Sequence, residues 1–251
     1  MVSEVIGLEK VDKQWLDERP ELKVLGVYCT GLDLLDRDEC SRRNIKIISL
    51  RDYPDFLKTI SSTAEHTLGL IIALMRNYKT ALNGPYKDRE EYRGNTLSGK
   101  TLGIIGYGRI GCQVKKIADA LAMNIIPVDD SNLDILGYLL KESDIVTIHI
   151  PLDGNVGLFT KRMFLNMKQT AYLINTSRDA VVEKGALLWA LENGIIKGAA
   201  VDFCDDKDLV EYARTHSNLV LTNHLGGCTF EDMERTKDFI KNKVEEYIKT
   251  L

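Results

Sequence analysis

Three glycines, Gly106, Gly108 and Gly111, follow a short apolar run and open a segment of helical period, an arrangement suited to holding a phosphate. Gly106 permits a tight turn, Gly108 lets the backbone approach a pyrophosphate, and Gly111 allows the helix to pack closely on the strand. The first N–H groups of the helix then face the anion. A glycine triplet alone also occurs in ordinary turns, so the context matters: Asp129 stands at the end of the next candidate strand. A carboxylate there accepts hydrogen bonds from ribose hydroxyls and repels a 2′-phosphate, so the expected cofactor is NAD rather than NADP. Asp130 is the alternative for that role. Ile110 lies within the glycine fingerprint, and Arg109 reads equally as a phosphate contact or as a solvated turn residue.

Other chemistries find little footing. The five cysteines, Cys29, Cys40, Cys112, Cys204 and Cys228, lack CxxC spacing, and an odd count suits neither a disulfide framework nor a zinc site. The four histidines form no HExxH or HxxxH pattern, so no metal is expected. With 33 basic and 37 acidic residues spread evenly, no basic block invites nucleic acid or an anionic membrane surface. The longest apolar stretch, around residues 68–75, is far short of the roughly 18 residues of a spanning helix, and the N-terminus lacks a signal pattern. A cytoplasmic location is expected.

The elements that must position the glycines read as alternating strands and helices. From residue 102 onward, β-rich apolar runs alternate with helix-period segments, which predicts a doubly wound parallel sheet of the Rossmann kind. Strands are expected at residues 101–106, 124–128, 144–152, 171–176, 198–204 and 219–225. Helices are expected from Ile110 to Leu121 and at 133–142, 160–168 and 183–193. The first 60 residues suggest a second, smaller, truncated flavodoxin-like α/β domain with strands at 5–8, 23–29 and 45–50. Residues 62–82 read as one long helix, apolar nearly all round at Leu68, Leu70, Ile71, Ile72, Leu74 and Met75, and therefore buried between domains or subunits. Residues 83–98 read as a polar arm, and 231–250 as a last helix packing back on the small domain. The expected division is residues 1–60 plus 229–251 as a substrate domain, and 61–228 as the nucleotide-binding domain.

Residues 97–111, which carry the glycine fingerprint, resemble the entry to the NAD domain of the D-isomer-specific 2-hydroxyacid dehydrogenases. Four further segments resemble the same family in the same order: 63–66, ending at His66; 149–152, with His149 and Pro151; 174–178, with Thr176 and Arg178; and 221–227, with His224 and Gly226. The resemblance runs from about Val5 to the C-terminus. It implies hydride transfer between nicotinamide and a D-2-hydroxy or 2-oxo acid. Arg178 would grip the substrate carboxylate and the reacting oxygen through its planar fork, and His224 would exchange the proton. It also implies that Thr30 and Gly31 meet the substrate carboxylate through their backbone, and that Asp202, His149, Pro151, Thr176 and Gly226 lie beside the cofactor. By residue type alone, a lone arginine after a strand is more often a surface ion pair, and a lone histidine before two glycines a turn residue. His66 reads as a helix-packing residue and His216 as a solvated one at a charged helix end.

The chain departs from the family's pattern at several places. Lys207 stands where the family has a glutamate that pairs with the histidine; a one-residue shift of the loop would bring Asp206 or Asp208 to His224 as its charge partner, and without either His224 has none and a neighbouring ammonium lowers its pKa. Asp179 replaces a glycine beside Arg178 and either competes with substrate for it or points to solvent; Asn223 replaces a proline. The passage from Asp129 to Leu133 is short, which implies an open adenine pocket. The small domain lacks its first βα segment and has little core of its own, so a homodimer built on residues 62–82 and the 83–98 arm is expected. The competing reading is a non-catalytic NAD(H)-binding sensor or scaffold of the same fold; oxidation of another anion such as phosphite is a third.

Overall fold

The computed structural model describes residues 2–85 and 89–250. Its elements in chain order are β1 (Val2–Ile6), α1 (Lys13–Asp17), β2 (Leu22–Val27), α2 (Arg37–Arg42), β3 (Lys46–Ser49), α3 (Pro54–Leu57), α4 (Ser62–Met75), α5 (Tyr78–Asn83), β4 (Thr101–Ile105), α6 (Arg109–Ala120), β5 (Asn124–Val128), α7 (Leu136–Glu142), β6 (Ile145–Ile148), α8 (Lys161–Leu165), β7 (Tyr172–Asn175), α9 (Ala186–Glu192), β8 (Gly198–Val201), α10 (Lys207–Thr215), β9 (Leu219–Leu221) and α11 (Phe230–Ile248). They divide into two compact units, Met1–Ile60 with Gly227–Leu251, and Ser61–Gly226.

In the first unit β1, β2 and β3 lie side by side in that order, all parallel. Helices α1 and α2 cover one face, where Leu16 and Cys40 meet Leu25, Val27 and Ile45. The other face belongs to α11, whose Ile240 and Val244 pack with Val24, Ile48 and Leu57. That approach is close: a Cβ on Gly26 would lie 2.8 Å from both Ile240 and Val244. Phe56 stacks on Phe239 with ring centroids 3.8 Å apart, tying α3 to the same helix.

The second unit holds a six-stranded parallel sheet in the order β5-β4-β6-β7-β8-β9. Strands β6, β7 and β8 are buried at every position, as a parallel sheet covered on both faces requires. Helices α4 and α6 occupy one face through Ala64, Leu70, Val114 and Ala118. Residues of α7, α8, α9 and α10 fill the other, including Leu139, Phe164, Leu187 and Leu209. Chain order reverses at β4, which has β5 on one side and β6 on the other, so a crevice opens at the carboxyl ends of β4 and β6.

Three expectations need correction. The helix foreseen over 62–82 is two helices, because Asn77 takes a left-handed conformation (φ 54°) that asparagine tolerates better than most residues. The break lets Lys79 of α5 donate to the carbonyls of Ala213, His216 and Leu219, placing a cation at the end of α10; burial lowers the Lys79 pKa. The first strand is Val2–Ile6 rather than 5–8. Within the arm foreseen over 83–98, Asn83 ends α5 and Arg89–Tyr92 form a 3-10 turn, while residues 86–88 lie outside the described residues.

The fold depends on the closeness of α6 to β4. A Cβ on Gly111 would sit 2.3 Å from the Gly106 carbonyl oxygen and 3.1 Å from Ile104 Cγ2. Gly111→Ala should therefore destabilise the protein by about 1–3 kcal/mol, as overpacking does; a urea or thermal unfolding curve beside the wild type measures it, and an unchanged midpoint would contradict the packing described.

Candidate active site

Each fingerprint glycine meets a different constraint. Gly106 has φ +93°, and a Cβ there would lie 2.7 Å from the His149 carbonyl oxygen, so the turn leaving β4 lies tight against the end of β6. Gly111 admits the helix, as described. Gly108 caps α6, and a Cβ there would meet nothing within 4 Å, leaving open space before the first turn of the helix. The first N–H groups of α6 and the positive end of its dipole thus face open space, which suits a pyrophosphate. Arg109 and Ile110, both half-buried, begin α6.

Asp129 follows β5. Its Oδ1 accepts from Ser131 N (2.9 Å) and Ser131 Oγ (2.5 Å), and those bonds lower its pKa. Its Oδ2 has no hydrogen-bond partner among the described residues and suits a ribose hydroxyl. Asp130 is exposed.

On the other side of the glycine turn from Asp129, at the ends of β6 and β7, runs a hydrogen-bonded chain that sequence did not suggest. Thr67 Oγ1 donates to Thr63 O at 2.8 Å, so Thr176 Oγ1, 3.0 Å away, must donate to Thr67. Thr176 can then accept only from His149 Nδ1, at 3.4 Å. The network thereby assigns the proton of His149 to Nδ1 and leaves Nε2 a bare acceptor. That atom is buried and has no partner among the described residues. Burial pushes the imidazole pKa down to about 3, so the ring is neutral. A buried imidazole acceptor on the residue whose carbonyl packs against the Gly106 turn, together with the open space at Gly108, fits a ligand bearing hydroxyl or amide donors and a phosphate. Pro151, two residues on, is exposed, its carbonyl accepting from Asn155 Nδ2.

Arg178 and His224 come together around Phe203. The guanidinium lies 5.9 Å from the Phe203 ring centroid, and the imidazole centroid 5.1 Å from it, tilted 58°. Arg178 Nη1 also donates to its neighbour's carbonyl, Ser177 O, at 3.0 Å. His224 occupies the left-handed region (φ 59°). What holds it there is Asp202, at the end of β8 and 2% exposed. The Asp202 carbonyl accepts His224 N at 2.5 Å. Its Oδ1 accepts Thr222 Oγ1 and Leu225 N, both at 2.7 Å, and His66 Nε2 at 3.0 Å; its Oδ2 accepts Gly226 N at 2.8 Å. Burial alone would raise this carboxyl's pKa, but the bonds from His66, Thr222, Leu225 and Gly226 outweigh it and hold it well below the usual range.

The departures resolve into local roles. Asp179 accepts Ala180 N at 2.7 Å on Oδ1 and Asp205 N at 2.8 Å on Oδ2, so it ties the 205 loop to the turn after Arg178. Asp206, foreseen as a charge partner for His224, caps α10 by accepting Asp208 N and Leu209 N on Oδ1, because an aspartate before a helix satisfies its first N–H groups. Lys207 and Asp208 are exposed in the first turn of that helix. In the other unit, Thr30 and Gly31 follow β2; Thr30 O accepts Arg51 Nε at 2.5 Å and Gly31 O accepts Cys29 Sγ at 3.2 Å. His216, foreseen as solvated, is exposed and stacks on Tyr212. Sequence reasoning missed Thr67, Phe203 and Thr222, and gave His66 no polar partner; nothing local marks a pairing that spans 136 positions.

Residues 68–226 match the family described as D-isomer specific 2-hydroxyacid dehydrogenase, NAD binding domain. The chain is 31% identical over 251 residues to a glycerate dehydrogenase of Methylorubrum extorquens, spanning 93% of this chain and 78% of the relative. It is 32% identical over 264 residues to a glyoxylate reductase of Thermococcus litoralis, spanning 96% and 78%. Among solved structures, D-lactate dehydrogenase from Aquifex aeolicus, complexed with NAD and lactic acid, is similar with a TM-score of 0.77 at 26% identity, spanning 98% of this chain and 83% of that one.

The buried neutral imidazole makes stability depend on pH. Below pH 6.5 the unfolded chain takes up a proton at His149 that the folded chain refuses until about pH 3, so this residue's contribution is complete above 6.5 and is lost as pH falls through that window. Asp202, whose folded pKa is depressed, loses its contribution only below the ordinary carboxylate value of 3.8. Between pH 7.5 and 5 the unfolding free energy from urea curves should fall less for His149→Gln than for the wild type, by roughly 1–2 kcal/mol; parallel losses would contradict a buried neutral ring.

Proposed function

The chain belongs to the D-isomer specific 2-hydroxyacid dehydrogenase family, whose members interconvert a 2-hydroxy and a 2-oxo acid with NAD, and from that premise we propose that Arg178 and His224 carry its chemistry. The observation that supports this reading is their convergence on Phe203: one permanent cation and one titratable ring, from segments far apart in the chain, flank a single aromatic side chain.

Arg178 binds the substrate carboxylate and the reacting oxygen, since its planar fork orients a carboxylate and its charge stabilises negative charge developing on that oxygen. A ring nitrogen of His224 takes the hydroxyl proton in oxidation and returns it in reduction, a task for an imidazole whose ordinary pKa lies near neutrality. The backbone of Thr30 and Gly31 is assigned to the substrate carboxylate. Asp206 remains the cap of α10, and this reading gives it no proton-transfer role.

The cofactor residues are Gly106, Gly108, Arg109, Ile110 and Gly111 around the pyrophosphate and Asp129 at the ribose, with His149, Pro151, Thr176, Asp202 and Gly226 along the rest. When bound, the nicotinamide accepts or supplies the hydride. Preference for NAD over NADP is assigned to Asp129, whose lowered pKa keeps it anionic and repulsive toward a 2′-phosphate. We assign the protein to the cytoplasm, where its five cysteines would stay reduced, and to a homodimer. For the dimer, Tyr78 and Leu82 on α5, one turn apart, are 43% and 80% exposed. Residues 61–228 are assigned to the cofactor, and 1–60 with 229–251 to the substrate.

Purified protein with NADH should consume it on one or more of glyoxylate, pyruvate and hydroxypyruvate. His224→Gln should lower kcat by about 10²- to 10⁴-fold while leaving the NADH Kd nearly unchanged, and Arg178→Lys should raise KM and lower kcat together. Tight NADH binding without consumption on any 2-oxo acid would favour the sensor reading instead. Asp129→Ala should weaken NADH about tenfold, the worth of a charged hydrogen bond, and narrow the gap to NADPH; unchanged discrimination in a fluorescence titration would move that role to Asp130.

A further inference from the structure

We propose that His66 is a positioning residue for His224, because its Nε2–H holds the Asp202 carboxylate in the placement that closes the 222–226 loop around it. For its catalytic consequence this rests on the hydride-transfer reading above; for its structural consequence it does not.

Asp202 is ionised and so can only accept. Thr222 Oγ1 donates its one hydrogen to Asp202 Oδ1 at 2.7 Å, and the same Oγ1 lies 3.2 Å from His66 Nε2. His66 Nε2 is also 3.0 Å from Oδ1. Both oxygens therefore present lone pairs to Nε2, which must carry the proton and donate to the two together. Among the described residues, every other hydrogen bond to this carboxylate comes from the loop itself: Thr222 Oγ1, Leu225 N and Gly226 N. His66 is the donor that comes from α4, a helix anchored in the sheet face by Ala64, Leu70 and Ile71. It ties the loop's anchor to the core of the unit.

The loop requires such an anchor. A histidine with φ 59° is in a region that side chains with a Cβ avoid, and it persists only where the surroundings over-determine it. With the carboxylate 2% exposed, no bulk water replaces a lost donor. A carboxylate free to turn would release Leu225 N and Gly226 N, and His224 would relax to ordinary backbone, carrying its ring away from Phe203 and Arg178. The next residue on the same helix, Thr67, receives the chain from His149 and Thr176. One turn of α4 therefore braces both the proton-transfer residue and the buried acceptor of the cofactor crevice.

The test compares His66→Leu, His66→Asn and His66→Gln. Leucine removes the donor and keeps bulk, asparagine falls short of the Nε2 position, and glutamine places an amide N–H near it. Amide hydrogen exchange of Leu225 and Gly226 is measured in cofactor-free protein, alongside kcat and the NADH Kd. Expected are at least tenfold faster exchange at both amides and at least tenfold lower kcat in the leucine and asparagine variants, with kcat falling by more than the NADH Kd rises. Glutamine should restore both readouts to within threefold. Wild-type protection in His66→Leu would overturn the proposal, and so would equal losses in the glutamine and leucine variants, which would mean that ring packing matters and the hydrogen bond does not. If the leucine variant fails to fold, the asparagine and glutamine pair decides. Exchange that follows the expected order in a protein that consumes no NADH would uphold the brace and overturn the hydride-transfer reading alone.

Discussion

A carboxylate removed from water must be surrounded by donors, and in this protein that demand on Asp202 organises the site. Desolvating an unpaired charge costs several kcal/mol, whereas hydrogen bonds to a charged group each return roughly 1.5–3 kcal/mol. Asp202 meets the balance by collecting two backbone N–H groups, a hydroxyl and an imidazole N–H, while its own carbonyl takes the N–H of His224. The loop after β9 has to wrap the carboxylate to deliver those donors. Its shape, including the left-handed backbone of His224, follows from that wrapping.

The same economy of close approach shapes the cofactor side. Gly106 and Gly111 are glycines because backbone from β6 and from the glycine turn itself fills the space where a Cβ would sit. Gly108 is different: nothing occupies that space, which is what a ligand-facing position should look like. The reversal of chain order at β4 brings the end of β6 to this turn, and with it His149, whose imidazole burial keeps neutral and the threonine relay protonates at Nδ1, leaving Nε2 an unshared acceptor. Strand order, glycine placement and a buried tautomer thus converge on one crevice.

Where the chain departs from its family, the acidic residues serve structure. Asp179 and Asp206 spend their oxygens on backbone N–H groups at the start of the 205 loop and of α10. Both lie on short segments leading away from Arg178 and Asp202, so they fix the path of the chain between the two halves of the site. Phe203 offers one aromatic surface to both Arg178 and His224, and a guanidinium over a ring face is worth about 0.5–1 kcal/mol at an exposed site.

Sequence alone determined the parts that depend on local order. Alternation of apolar runs with helical periods specified a parallel α/β sheet, because the side-chain periods of strand and helix are intrinsic to the backbone. The glycine spacing marked the β4-to-α6 turn, and five matching segments in order identified the family. Only the tertiary structure decided what depends on contacts between distant segments. Asn77 broke a helix whose apolar face gave no sign of it, because one left-handed residue is compatible with that pattern and the carbonyls that Lys79 reaches lie more than 130 positions away. His66 read as packing since its partner lies 136 positions along the chain. Asp206 read as a charge partner from its place in sequence, yet it precedes a helix, and the first N–H groups of a helix attract a carboxylate that sits beside them. A residue's chemistry is written in its type; which donor or acceptor meets it is set by the packing of the sheet.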